Sequence, residues 1–175
     1  MDKINISDIN KPYRRVSYMV NISLDFLSQW VYEKQTKFGL ILKPDFQRNY
    51  VWSKNQKINY IEHLLNEGST AKDIYFNHPN WMTTWVSEDD NPMVLVDGMQ
   101  RISAIMEFLN NTFKVYDKYY AKDINGLDNI CLNVYVNKLK SYTEVIEWYI
   151  ELNNTGIKHT TEDINHAKNI LRGLK

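Results

Sequence analysis

Apolar residues recur along this chain at two periods, and the periods alternate. Five stretches carry the three-and-four spacing of a helix with one buried face. They are Leu24, Leu27, Trp30 and Val31; Ile58, Ile61, Leu64 and Leu65; Ile102, Ile105, Met106 and Leu109; Val145, Ile146, Tyr149 and Leu152; and Ile164, Ala167, Ile170 and Leu171. Cap signals bracket them. Ser23 precedes a helix over 24–34. Ser53 with Gln56 makes a capping box for a helix from Lys54, with Gly68 as its C-cap. Ser141 with Glu144 makes another for 142–152, and Thr160 or Thr161 caps 162–172. Short apolar or alternating runs predict strands at 16–22, 40–42, 74–76, 93–96, 113–116 and 131–136, with a short strand at 83–86 pairing with 93–96. The stretch 119–129 reads as loop.

Strands interleaved with helices predict an α/β (α+β) domain with a small sheet. There is no repeat, low-complexity tract or linker, so 1–175 reads as one domain with a loose lead-in at 1–15. No apolar run approaches a membrane span, and the N-terminus lacks the apolar core of a signal peptide. Cys131 stands alone, which excludes an internal disulfide and fits a cytoplasmic location. Net charge is zero, against bulk electrostatic binding of nucleic acid. The charge is nevertheless split. Residues 1–60 hold ten Lys/Arg and five Asp/Glu, a balance of +5, and the remainder balances it at −5.

The candidate chemistry gathers where strand 93–96 meets helix 99–109. Asp97-Gly98 is the turn, and Gly98 can adopt backbone angles closed to other residues. Gln100 and Arg101 follow in the first helical turn, where free N–H groups and the helix dipole favour an anion. Arg101 adds a bidentate cation. Two readings stand open here: Asp97 as an N-cap and Arg101 as a surface charge, or Asp97 as a metal or water ligand and Arg101 as a phosphate ligand. A second loop, Pro44-Asp45-Phe46-Gln47-Arg48-Asn49-Tyr50-Val51-Trp52, sets Gln47 and Arg48 between large aromatics that read as core or loop-pinning groups. Arg48 is then a structural ion pair or a second arm on the same anion. Zinc-type Cys/His spacing, phosphate-loop and dinucleotide glycine motifs are missing, and His63, His78, His159 and His166 are scattered. Chemistry would therefore rest on Asp, Arg, Gln and Asn, with a divalent ion.

Three stretches together carry a family resemblance: Pro-Asp-Phe-Gln-Arg-Asn-Tyr-Val-Trp, Val-Asp-Gly-Met-Gln-Arg-Ile-Ser-Ala-Ile and Tyr-Ile-Glu-Leu-Asn-Asn-Thr-Gly. In order and spacing they resemble the DGQQR family, also known as domain of unknown function 262. That family includes the N-terminal domain of GmrSD modification-dependent restriction enzymes. The resemblance spans about 20–171. It implies a ParB/sulfiredoxin-like fold and a nucleotide-binding, in some members nucleotide-hydrolysing, domain that governs action on DNA. The matching positions are Asp97, Gly98, Gln100 and Arg101, with Gln47 and Arg48 from the earlier loop and Asn153 and Gly156 from the later one. Met99 stands where the pattern has its first Gln, which bears on hydrolysis more than on binding. Larger members continue into an HNH-type nuclease domain, so the resemblance implies a stand-alone form.

On this reading Arg101, Arg48 and the helix start hold phosphates, Asp97 holds Mg²⁺ or orients water, and Gln100 and Asn153 place the substrate. A nucleoside triphosphate with Mg²⁺ is the expected ligand; DNA and a separate nuclease subunit are the expected partners, with no membrane. The alternatives are a ParB-like DNA-binding or nuclease module, whose aromatic loops stack on bases, and a catalytically silent adaptor or inhibitor.

Overall fold

The computed structural model describes residues 16–81, 92–155 and 161–174. The lead-in at 1–15, the strand expected at 83–86, Gly156, His159 and Thr160 lie outside the described residues. Four strands, β1 (Tyr18–Ser23), β2 (Asp73–Asn77), β3 (Val94–Asp97) and β4 (Cys131–Asn137), form one sheet in the order β1-β4-β2-β3. β1 and β3 run antiparallel to their neighbours, whereas β2 and β4 pair parallel. The helices are α1 (Leu27–Phe38), α2 (Lys54–Leu65), α3 (Met99–Leu109), α4 (Tyr142–Thr155) and α5 (Thr161–Gly173). This is the mixed α/β class that the two periods predict.

Side-chain alternation divides the core between the faces of the sheet. In β4, Leu132, Val134 and Val136 are buried while Cys131, Asn133 and Tyr135 are half-buried. The buried set joins Trp30 and Val31 of α1, Ile61 and Leu64 of α2, and Ile102 and Ile105 of α3 in the main core. A smaller core packs Val94 and Val96 of β3 against Val145, Ile146, Trp148 and Tyr149 of α4, with Phe46 and Ala167. β3 is covered on both faces, so Met93 to Val96 reads as an unbroken apolar run.

The capping boxes at Ser53–Gln56 and Ser141–Glu144 form as the sequence indicates. The backbone N–H of Ser141 is the main reason the Glu144 carboxyl sits below the usual carboxylate range. Ser53→Ala removes the acceptor for the Gln56 N–H and is expected to lower stability by about 1 kcal/mol, read as a lower denaturation midpoint with unchanged slope.

Other local readings give way to longer-range pairing. Ser23 does not cap α1. It pairs with Cys131 in the sheet, and its hydroxyl donates to Asp25 Oδ1 at 2.5 Å. The Leu24 N–H donates to Ile130 O at 2.8 Å, so sheet bonding runs on and α1 starts only at Leu27. The run 40–42 makes a single parallel bridge, Ile41 to Val94, beside β3. The run 113–116 is no strand; Val115 and Tyr119 close a tight turn in which Tyr116 and Asp117 take positive φ. Within 119–129 lie two single-turn 3₁₀ helices, Ala121–Asp123 and Leu127–Asn129. α2 ends at Asn66 rather than Gly68. Glu67, at φ 58, takes the left-handed position, and the Gly68 N–H returns to His63 O at 2.9 Å. α4 continues to Thr155, so Asn153 belongs to its last turn and not to a polar loop after it.

Candidate functional site: the turn between β3 and α3

A β-bulge sets the direction of Asp97. Across β2 and β3, Tyr75 pairs with Asp97 but Phe76 pairs with Leu95, which leaves Val96 as the extra residue. The bulge turns Asp97 away from the main core, where Leu95 points, toward the side that carries Val96 and α4. Gly98 then starts α3 at φ 106. A Cβ at Gly98 would fall 2.6 Å from Ile74 Cδ1 and 3.3 Å from its Cγ2, so the angle favours glycine here and any side chain would have to displace Ile74.

Asp97 is not the N-cap of α3; Gly98 is, and it has no side chain to cover the first-turn amides. The Asp97 carboxylate instead accepts from the Arg101 guanidinium one turn further on. A second Arg101 nitrogen donates to the carbonyl of Asp73 at 2.5 Å. The pair is neither buried nor free, with side-chain exposures of 18% for Arg101 and 24% for Asp97.

The two glutamines serve the backbone. Gln100 is buried; its Oε1 accepts from Val51 N at 3.1 Å and Trp52 N at 3.2 Å, and its Nε2 donates to Asn49 O at 3.0 Å. Gln47, also buried, donates from Nε2 to Leu95 O at 2.6 Å and Val96 O at 3.0 Å. Together they fasten the loop 44–52 to β3 and to the first turn of α3. Phe46 anchors the loop from beneath, fully buried with its ring 5.2 Å from that of Tyr149. Trp52 packs on Tyr60 at 5.2 Å. Tyr50 does not pin the loop in this way: it is 48% exposed, with the Lys43 ammonium 5.8 Å from its ring.

A cavity of about 330 Å³ opens above this turn. Gln47, Arg48, Asp97, Gly98, Gln100, Arg101 and Asn153 all line it, so the loop 44–52, the start of α3 and the last turn of α4 meet at one place. Gly156 lies outside the described residues. Asn153 is buried and donates from Nδ2 to Tyr149 O at 2.7 Å, one turn back in α4. The cavity also takes Trp52, Thr70, Ala71, Met99 and Tyr149 into its wall; of these the sequence marks Met99, as a departure from the family pattern, and Trp52, as an anchoring aromatic. Tyr149 carried a usable signal, since it precedes Asn153 by four on one helix. Thr70 and Ala71 carried none; they reach the cavity because they lead into β2, and Ala71 does so at φ 59. The Tyr60 phenol behind this wall donates to Ala71 O at 3.1 Å, and burial raises its pKa well above the ordinary value while the Arg101 charge pulls it down.

Among the described residues, no three His, Cys, Asp or Glu side chains gather as a metal cluster, and no helix is long and apolar enough to cross a membrane. His63 lies against Thr70, and His166 Nε2 is 2.8 Å from Asp45 O, each in its own surroundings.

The geometry defines a mixed α/β domain with an arginine-bearing cavity at a strand–turn–helix junction. The family model for the GmrSD restriction endonuclease N-terminal domain matches residues 27–171, most of the chain, and the protein belongs to that family. The family places it in the context of DNA restriction and defence against phage. No curated protein and no solved structure matches it.

Proposed function

We propose that this domain binds a nucleoside triphosphate by its phosphates in the cavity between β3 and α3, and that nucleotide binding, with slow hydrolysis, governs action on DNA by a partner nuclease. One observation carries the reading: Arg48, Arg101, the open start of α3 at Gly98 and the Asp97 carboxylate line the same cavity. Cations beside helix N–H groups stabilise phosphate charge. Two Arg101 N–H groups are engaged within the protein, and the guanidinium has five donors, so its fork keeps capacity for a phosphate oxygen.

Mg²⁺ fits this donor set when it arrives with its triphosphate. Mg²⁺ is held in such sites by one or two carboxylates together with phosphate oxygens and water, and Asp97 supplies one. The ion would add charge neutralisation at the phosphates. Asp97 itself would orient the attacking water or hold the ion, and Arg101 fixes its carboxylate for either task.

The test is a thermal-shift and phosphate-release panel with ATP, GTP, CTP and UTP in the presence and absence of Mg²⁺. Asp97→Asn is expected to retain triphosphate-induced stabilisation in the absence of Mg²⁺, because it releases Arg101 from a competing anion, and to reduce Mg²⁺-dependent phosphate release by about 100-fold. Release that persists undiminished would remove Asp97 from the chemistry. A panel with no stabilisation by any triphosphate would overturn the nucleotide reading.

A further inference from the structure

We infer that Trp52 is the base-stacking wall of the cavity, so that the site takes a whole nucleotide and not a phosphate group alone. The inference rests on the nucleotide reading above and deepens it. The cavity's volume, about 330 Å³, is at the lower end of the range for small-molecule and cofactor sites. Its wall combines cationic groups with one indole, which matches the two halves of a nucleotide: anionic phosphates and a flat aromatic base.

Trp52 is held for this purpose from two sides. Gln100 accepts from its backbone N–H at 3.2 Å, and the Tyr60 ring meets its ring at 5.2 Å with the planes 62° apart. Tyr60 is in turn fixed by its hydrogen bond to Ala71 O. Trp52 is half-buried, packs against the main core, and lines the cavity. A pre-ordered ring loses little freedom when a base stacks on it. The arrangement also accounts for the buried amide of Gln100. The first turn of α3 offers Arg101 toward phosphate, and the residue beside Arg101 ties that turn to the backbone of Trp52. Gln100 is thus a positioning residue that sets the distance between the phosphate end and the base end.

The experiment compares ATP with inorganic triphosphate, each with Mg²⁺, by calorimetric binding to the wild-type chain and to Trp52→Leu and Trp52→Phe. Wild type is expected to bind ATP roughly tenfold or more tighter than triphosphate. Trp52→Leu is expected to bring ATP down to the triphosphate level while leaving triphosphate unchanged, and Trp52→Phe to keep part of the advantage. Trp52 also packs on Tyr60, so a second readout does not depend on the leucine variant folding. In wild-type protein carrying 5-fluorotryptophan, the fluorine resonance assigned to Trp52 by its loss in Trp52→Phe is expected to shift with ATP and not with triphosphate. Equal wild-type affinity for ATP and triphosphate, or a Trp52 resonance that ATP leaves unmoved, overturns the base wall while the phosphate site stands. Absence of binding by both ligands overturns the phosphate site and the base wall together.

Discussion

Arg101→Ala is expected to abolish the stabilisation that a magnesium–nucleoside triphosphate gives this domain, while leaving the domain folded. A ligand that binds only the folded state at 100 times its dissociation constant adds about 2.7 kcal/mol. For a chain of this size that raises the melting temperature by roughly 5–10 °C. The variant should show none of this rise, because the cavity loses the cation on the first turn of α3 and with it the remaining N–H donors that can hold a phosphate oxygen. The unliganded protein should suffer far less. The pair with Asp97 is partly exposed, and such pairs contribute on the order of 1 kcal/mol or less. The Asp73 carbonyl loses a donor as well, so a drop of a few degrees without ligand is the expected background. Arg101→Lys separates charge from geometry. It keeps a point charge but cannot bond Asp97 and the Asp73 carbonyl in the same planar fork, so it should retain only part of the ligand effect. A full ligand-induced rise in Arg101→Ala would mean that the phosphates lie elsewhere.

Gly98→Val should be the most damaging single substitution at the turn. Valine at φ 106 meets the strain that a branched side chain suffers in left-handed conformations, about 1–2 kcal/mol. Its Cβ would also enter the space of Ile74, 2.6 Å from Cδ1 and 3.3 Å from Cγ2. Ile74 is fully buried in β2 between β3 and β4, so it has no empty volume to move into. Overpacking of that kind adds roughly 1–3 kcal/mol. The sum is a large part of the ~5–15 kcal/mol by which domains of ordinary stability stay folded. The measurement is urea denaturation of the unliganded protein, with a loss of about 3 kcal/mol or more expected. Gly98→Ala has the same angle penalty with a smaller intrusion and should fall between valine and wild type. A near-neutral Gly98→Val would show that the turn relaxes and that its geometry is not fixed by β2.

The helices and most strands were legible in the sequence because their signals are local. The Ser53–Gln56 capping box needs four consecutive residues, and the alternation Leu132, Val134, Val136 needs five. Readings failed where a local signal competed with a distant partner. Ser23 is a sound N-cap residue by type, yet it is held in the sheet by Cys131, more than a hundred residues away. Gly68 is the expected helix-ending residue, but the left-handed position falls one residue earlier on Glu67. A Cβ at Gly68 would lie 2.2 Å from the His63 ring, so any other residue here requires that ring to move aside.

By itself the sequence determined the alternating architecture, the strand–turn–helix at 93–109 and the residue types at that turn, because periodicity, capping and glycine act over a few residues. It also showed which three stretches carry polar side chains among anchoring hydrophobic ones. The tertiary structure alone decided what those side chains face. The bulge at Val96 turned Asp97 out of the core and beside Arg101, a consequence of how β3 registers on β2. Gln47 and Gln100 look like ligand-binding amides in sequence, but the fold uses them to fasten the loop 44–52, since buried backbone groups there need partners. Asn153 entered the wall because α4 runs one turn further than its polar sequence suggests. Trp52, Ala71 and Tyr149 became neighbours across a cavity only when the sheet brought the ends of α2, β2, β3 and α4 together. No local pattern encodes that meeting, because it depends on pairings between residues tens of positions apart.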